Sequence, residues 1–194
     1  MSARLPGFKG DYLWEFEIAE RQLAALAEAI PAERYAWRSA ETVRSVSEVL
    51  VHVAAANLML VSVTGVEAAP DLYGKLEGET GSRMMAMIAK NEGLEKTLTD
   101  KTAVIALLKR SLDAVRAAMT QATDAELDRP QMFAGGQATV RSVYLRGLAH
   151  MHEHMGQLIA YTRSMGLPAP WAEWRESHRK KMMERGSSAS AKVD

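Results

Sequence analysis

A chain of 194 residues that is 47% apolar and 25% charged can bury one sizeable core, so disorder is excluded as its default state. Lys plus Arg and Asp plus Glu balance at 24 each, which argues against nucleic acid as the main partner and removes the simplest attraction to an anionic membrane. Cysteine is absent, which excludes disulfides, thiolate metal ligands and a cysteine nucleophile.

Residues 1–9 carry no apolar signal core, and no stretch shows the ~18 uninterrupted apolar residues of a membrane span. A cytoplasmic protein is the expectation, with neither a membrane nor a nucleic acid as partner.

The pattern is helical almost throughout, with four long candidates. The first covers residues 11–30, where Leu23, Leu26, Ala27 and Ile30 form an apolar stripe and Pro31 stops the helix. The second starts near Ser45. There Ser45-Val46-Ser47-Glu48 is a capping box, and the helix continues through His52 and Met59 towards Gly65. Residues 64–98 make a long Gly-containing connection with a short helix expected over 84–95, which lets the second and third helices lie side by side. The third covers about 100–121, with Val104, Leu107, Leu108, Leu112 and Val115 on one side.

Thr123 to Glu126 is another box, read as a single turn. The fourth helix starts near Thr139, after the Gly135-Gly136 break, and ends near Met165 before Gly166 and Pro168. An amphipathic extra helix is expected over 171–184. Residues 1–185 are read as a single domain, and 186–194 as a disordered tail.

The chemistry lies in the histidines: His52, His150, His152, His154 and His178. His150 and His154 fall within about 40° of each other on one helical face, whereas His152 is turned about 200° from His150. Two imidazoles four residues apart can share one ion, and a third ligand must come from elsewhere. His52, among Val51, Val53 and Ala54, is either a ligand or a hydrogen-bonded core residue. Spacing alone leaves both readings open.

The surrounding residues resemble a known family. The stretch His150-Met-His-Glu-His154-Met-Gly-Gln157-Leu-Ile-Ala-Tyr161-Thr-Arg-Ser-Met-Gly166-Leu-Pro168 is similar to the last core helix of the DinB superfamily. Trp37-Arg38 and Arg44-Ser45-Val46-Ser47-Glu48-Val49-Leu50-Val51-His52 resemble its second-helix signature. The resemblance implies an all-α antiparallel four-helix bundle with a long crossover between helices two and three, often a homodimer. It also implies a zinc or nickel ion held by one histidine of the second helix and two of the fourth, here His52, His150 and His154. Characterised relatives include transferases and isomerases that use low-molecular-weight thiols such as bacillithiol or mycothiol.

A metal-dependent thiol S-transferase acting on a small molecule is therefore the leading expectation. The alternatives are a metal-dependent hydrolase and a non-catalytic bundle stapled by its ion. Gln157 is a candidate to hold an imidazole N–H behind the ion, and Tyr161 either does likewise or packs. Arg146, one turn before His150, would meet an anionic substrate or form a salt bridge. Glu48, one turn before His52, would serve as a general base, although its capping position offers a simpler explanation. Met59, Met151 and Met155 are read as core filling, and Met84, Met85 and Met87 as a lid or an interface. Trp171 and Trp174 are expected to cover one end of the bundle or to meet a partner chain. His152 is read as a surface residue, and His178 as part of a solvated basic face.

Overall fold

α1 spans Gly7–Ala29, starting four residues before the stripe suggested. Phe8 accounts for the added turn: it packs beside Tyr12 and lies beneath the Arg141 guanidinium. Ile30 is extended because it precedes Pro31, where the helical conformation is sterically disfavoured. The structure is a computed structural model that describes residues 6–67, 69–74 and 80–172. The expected helix over 171–184, the tail from 186, Trp174 and His178 all lie outside those residues, apart from the first two positions of that helix.

A 3₁₀ turn at Ala32–Arg34 leads to α2, Val46–Val63. Every orphan N–H of its first turn finds a partner. Val46 N donates to the Trp37 carbonyl, Ser47 N to the Tyr35 carbonyl, and Glu48 N to Ser45 Oγ. Glu48 Oε2 accepts in return from Ser45 N at 2.7 Å, completing the capping box. Ser45→Ala should cost about 1 kcal/mol of stability, readable as a lower urea midpoint at constant slope.

After the short α3 (Pro70–Tyr73), α4 runs over Thr80–Thr97, longer than the 84–95 expected. α5 spans Lys101–Gln121 with Asp100 as its cap, and α6 spans Asp124–Asp128 on the Thr123–Glu126 box. The Gly135-Gly136 break proves to be part of a hairpin, β1 (Pro130–Phe133) against β2 (Gly136–Thr139). Phe133 faces Gly136, so the loop is Ala134-Gly135, and both have positive φ (52° and 81°), as this tight turn requires. α7 spans Val140–Ser164. It closes in a Schellman arrangement: Leu167 N donates to the Thr162 carbonyl and Gly166, at φ 73°, to that of Arg163.

Side-chain pairs fix the directions. Phe8 meets Arg141, Tyr12 meets Tyr144 and Glu15 meets His152, so α1 and α7 are parallel. Lys9 meets Thr120, Glu20 meets Arg116 and Glu28 meets Lys109, so α1 and α5 are antiparallel. α2 is antiparallel to α7, since Arg44 lies beside Tyr161 and His52 beside His150. α1, α2, α5 and α7 thus run up, down, down, up in the expected all-α bundle. α4 returns antiparallel along α2, which is why α2 and α5 point the same way.

α2 is the central element, packed by α4, α5 and α7. It is long and apolar enough to cross a membrane, although Ser47, Glu48, His52 and Asn57 interrupt its apolar run, and most of it is buried inside the bundle. A helix apolar all round is what three enclosing neighbours require. Met151 and Met155 are buried in the core, Met87 is buried on α4, and Met85 is exposed.

Candidate metal centre

Antiparallel packing of α2 on α7 sets His52 opposite His150 and His154. The three rings sit with centroids 4.9, 4.7 and 4.5 Å apart. One nitrogen from each lies within 4.8 Å of the others, and this is the sole such three-residue group of potential ligands among the described residues. His52 Nε2 and His150 Nε2 are 3.0 Å apart. Two nitrogens on a tetrahedral zinc at about 2.0–2.1 Å would be separated by roughly 3.3 Å, so only small adjustment is needed.

Two of the rings are held from behind. His52 Nδ1 lies 2.7 Å from Glu95 Oε1. Burial works to raise the Glu95 carboxyl, but hydrogen bonds from His52 and Arg44 outweigh it and hold it below the ordinary carboxylate range. An ionised carboxylate only accepts, so the proton sits on Nδ1 and His52 Nε2 presents a lone pair. His154 Nδ1 lies 2.9 Å from Gln157 Oε1, whose amide nitrogen donates to the Tyr161 hydroxyl at 2.8 Å.

His150 has no such support. Its Nδ1 is buried without a hydrogen-bond partner. An unsatisfied buried polar atom costs about 1–3 kcal/mol. Burial first, then the neighbouring His154 and His52, pushes its pKa down to about 3. His154 is lowered as well, again mainly by burial. Neutral imidazoles with inward lone pairs are the donor set a borderline divalent ion takes, so these residues fit zinc or nickel.

A model of the DinB superfamily matches residues 15–158, about three quarters of the chain. The chain belongs to the DinB superfamily. The YjoA protein of Bacillus subtilis strain 168 is 28% identical over 142 residues, covering 73% of this chain and 80% of that one. The crystal structure of a DinB-like protein from Bacillus cereus ATCC 10987 superposes with TM-score 0.62 at 19% identity, over 82% of this chain and 93% of that one. The mycothiol-dependent maleylpyruvate isomerase superposes with TM-score 0.58 at 13% identity, over 79% of this chain and 61% of that one.

Within this DinB bundle the other candidates fall as follows. Glu48 Oε2 is shared between Ser45 N and the Arg38 guanidinium at 3.2 Å, so its capping role is the one observed. Arg146 makes two bonds to Glu153, at 2.9 and 2.8 Å, in a solvent-exposed pair at the edge of the histidine face. His152 pairs with Glu15 of α1, away from the three rings. Met59 lies 3.9 Å from the Asn91 amide nitrogen.

Glu95 was missed in the sequence. Its signal is a stripe of Met87, Asn91, Leu94 and Glu95 along α4, continued by Leu98 just past its end, in which polar Asn91 and Glu95 stand where apolar residues belong. An open cleft of about 660 Å³ lies behind the rings of His52 and His154, on the side of Glu95 and Gln157, and is lined also by Arg38, Arg44 and Glu48.

The depressed histidine pKa values have a consequence for stability. An unfolded chain takes up these protons near pH 6.5, before the folded one does. Stability is therefore full above about 6.5 and falls as the pH drops from there towards about 3, where His150 also protonates. Chelator-treated protein should show a lower urea midpoint at pH 5 than at pH 7.5. An equal or higher midpoint at pH 5 contradicts the buried neutral imidazoles.

Proposed function

We propose that this DinB protein binds one zinc or nickel ion through His52, His150 and His154 and uses it to transfer a low-molecular-weight thiol to an electrophilic small molecule. The observation that carries this reading is a three-imidazole cluster to which the described residues add no fourth ligand. A stapling site is closed by four protein ligands. Here Glu95 is turned to His52 Nδ1, and the His52 side chain keeps 23% of its exposure. A bound divalent ion would supply the positive charge that favours the ionised form of a thiol beside it.

The chain's own groups do the rest. Glu95 and Gln157 orient two rings and keep their lone pairs inward. Arg38, Arg44 and Lys96 give the cleft cationic groups among its carboxylates. The mycothiol dependence named for the isomerase supports the choice of a thiol as cosubstrate.

The test is an assay of thiol consumption against a model electrophile, using a panel of cysteine, coenzyme A and glycosylated cysteine thiols. Metal-loaded protein should accelerate conjugation with at least one thiol. Chelation should abolish that acceleration, and added zinc or nickel should restore it. Activity that survives complete metal removal contradicts the proposal.

A further inference from the structure

Two separate relays hold the rings of His52 and His154, and both end on one residue. On one side the Arg44 guanidinium donates from Nε to Glu95 Oε2 at 2.6 Å, and Glu95 Oε1 accepts from His52 Nδ1–H at 2.7 Å. On the other side the Arg44 carbonyl lies 2.9 Å from the Tyr161 hydroxyl. A carbonyl can only accept, so Tyr161 must donate to it and accept from the Gln157 amide nitrogen. That leaves Gln157 Oε1 facing His154, where it accepts from Nδ1–H. Every direction in the second relay therefore follows from the backbone of Arg44.

We propose that Arg44 is the positioning residue of the centre, setting from one place the tautomer and aim of two of its three imidazoles. The inference rests on the reading of the three histidines as metal ligands. Arg44 is well placed for the task because it directly precedes the buried Ser45 cap, so the same capping box that starts α2 holds its backbone. Trp37 packs edge-on against Tyr161 at 5.1 Å and steadies the carbonyl relay. Glu95 keeps only 8% side-chain exposure against 39% for Arg44, so the carboxylate at the middle of this relay is the part shielded from solvent.

The two arms can be cut independently, since no side-chain substitution removes the Arg44 carbonyl. Arg44→Met cuts the guanidinium arm. Glu95→Gln cuts the same arm, because one amide oxygen cannot serve both donors. Tyr161→Phe cuts the carbonyl arm while keeping the ring packed. Zinc affinity is read by competition with a chromophoric chelator, and ligand geometry by the visible spectrum of the cobalt(II) form.

Each single variant should weaken zinc by about 10–100-fold and shift the cobalt spectrum. Arg44→Met with Glu95→Gln should be no weaker than Glu95→Gln alone, whereas Arg44→Met with Tyr161→Phe should multiply the two losses. Arg44→Lys, which keeps the charge, should recover part of the affinity. If Arg44→Met loses its helical signal, Glu95→Gln and Tyr161→Phe decide, and both must weaken zinc. Parental affinity and spectrum in a folded Arg44→Met variant overturn the assignment of Arg44 alone. A parent chain that binds no zinc overturns the metal reading with it.

Discussion

Alanine in place of His52, His150 or His154 should reduce the metal content of the desalted protein from about one ion per chain to almost none. Each ring supplies one of three donors, and two imidazoles leave an ion mostly in water. The loss of affinity should exceed the about 100-fold ceiling seen for partners behind a ligand. His152→Ala is the matched control: it removes a histidine from the same helix, but one that faces Glu15 on α1, and its metal content should equal the parent's. Elemental analysis of the four variants, with far-ultraviolet dichroism to confirm the helices, makes the comparison. A His150→Ala protein with full metal content would contradict the three-histidine centre.

The second large effect belongs to the core. Phe16 is fully buried, stacks on Tyr12 and lies beneath the Arg116 guanidinium of α5. Phe16→Ala should cost about 3–5 kcal/mol, the range for truncating a buried aromatic ring. Against a total of about 5–15 kcal/mol, that moves the urea midpoint far down. The folded fraction should still carry its metal, because Phe16 lies on α1 and the centre is built by α2, α4 and α7. A loss below about 1 kcal/mol would mean that α1 packs less tightly than described.

Local features of the sequence carried much of the architecture. The Ser45 and Thr123 capping boxes both form, and both start helices. Their donors and acceptors lie three residues apart, so the pattern needs no tertiary context. The placement of His150 beside His154 is likewise a property of one helix turn, and Gly166 ends α7 through its own φ. What could not be seen depended on long-range packing. Glu95 is 43 residues from His52, and only the return of α4 along α2 brings them together. Arg44 was visible as part of a motif, but the partners of its guanidinium and carbonyl lie 51 and 117 residues away. The hairpin was hidden because Ala134, which has no intrinsic liking for positive φ, occupies the first place of its turn.

Glu48 and Arg146 mark the limit of helical-face arguments. Both lie one turn before a histidine, as reasoned, yet each is engaged elsewhere: Glu48 by Ser45 and Arg38, Arg146 by Glu153. A shared face places a residue near a site without freeing its side chain to act there.

X-ray absorption at the zinc edge of the zinc-loaded protein bears most directly on the central claim. Three imidazole nitrogens at about 2.0–2.1 Å, with any further light-atom donor coming from solvent, is the predicted shell. A methionine sulfur, a Glu95 carboxylate in place of a ring, or a fourth protein ligand that closes the shell would contradict it.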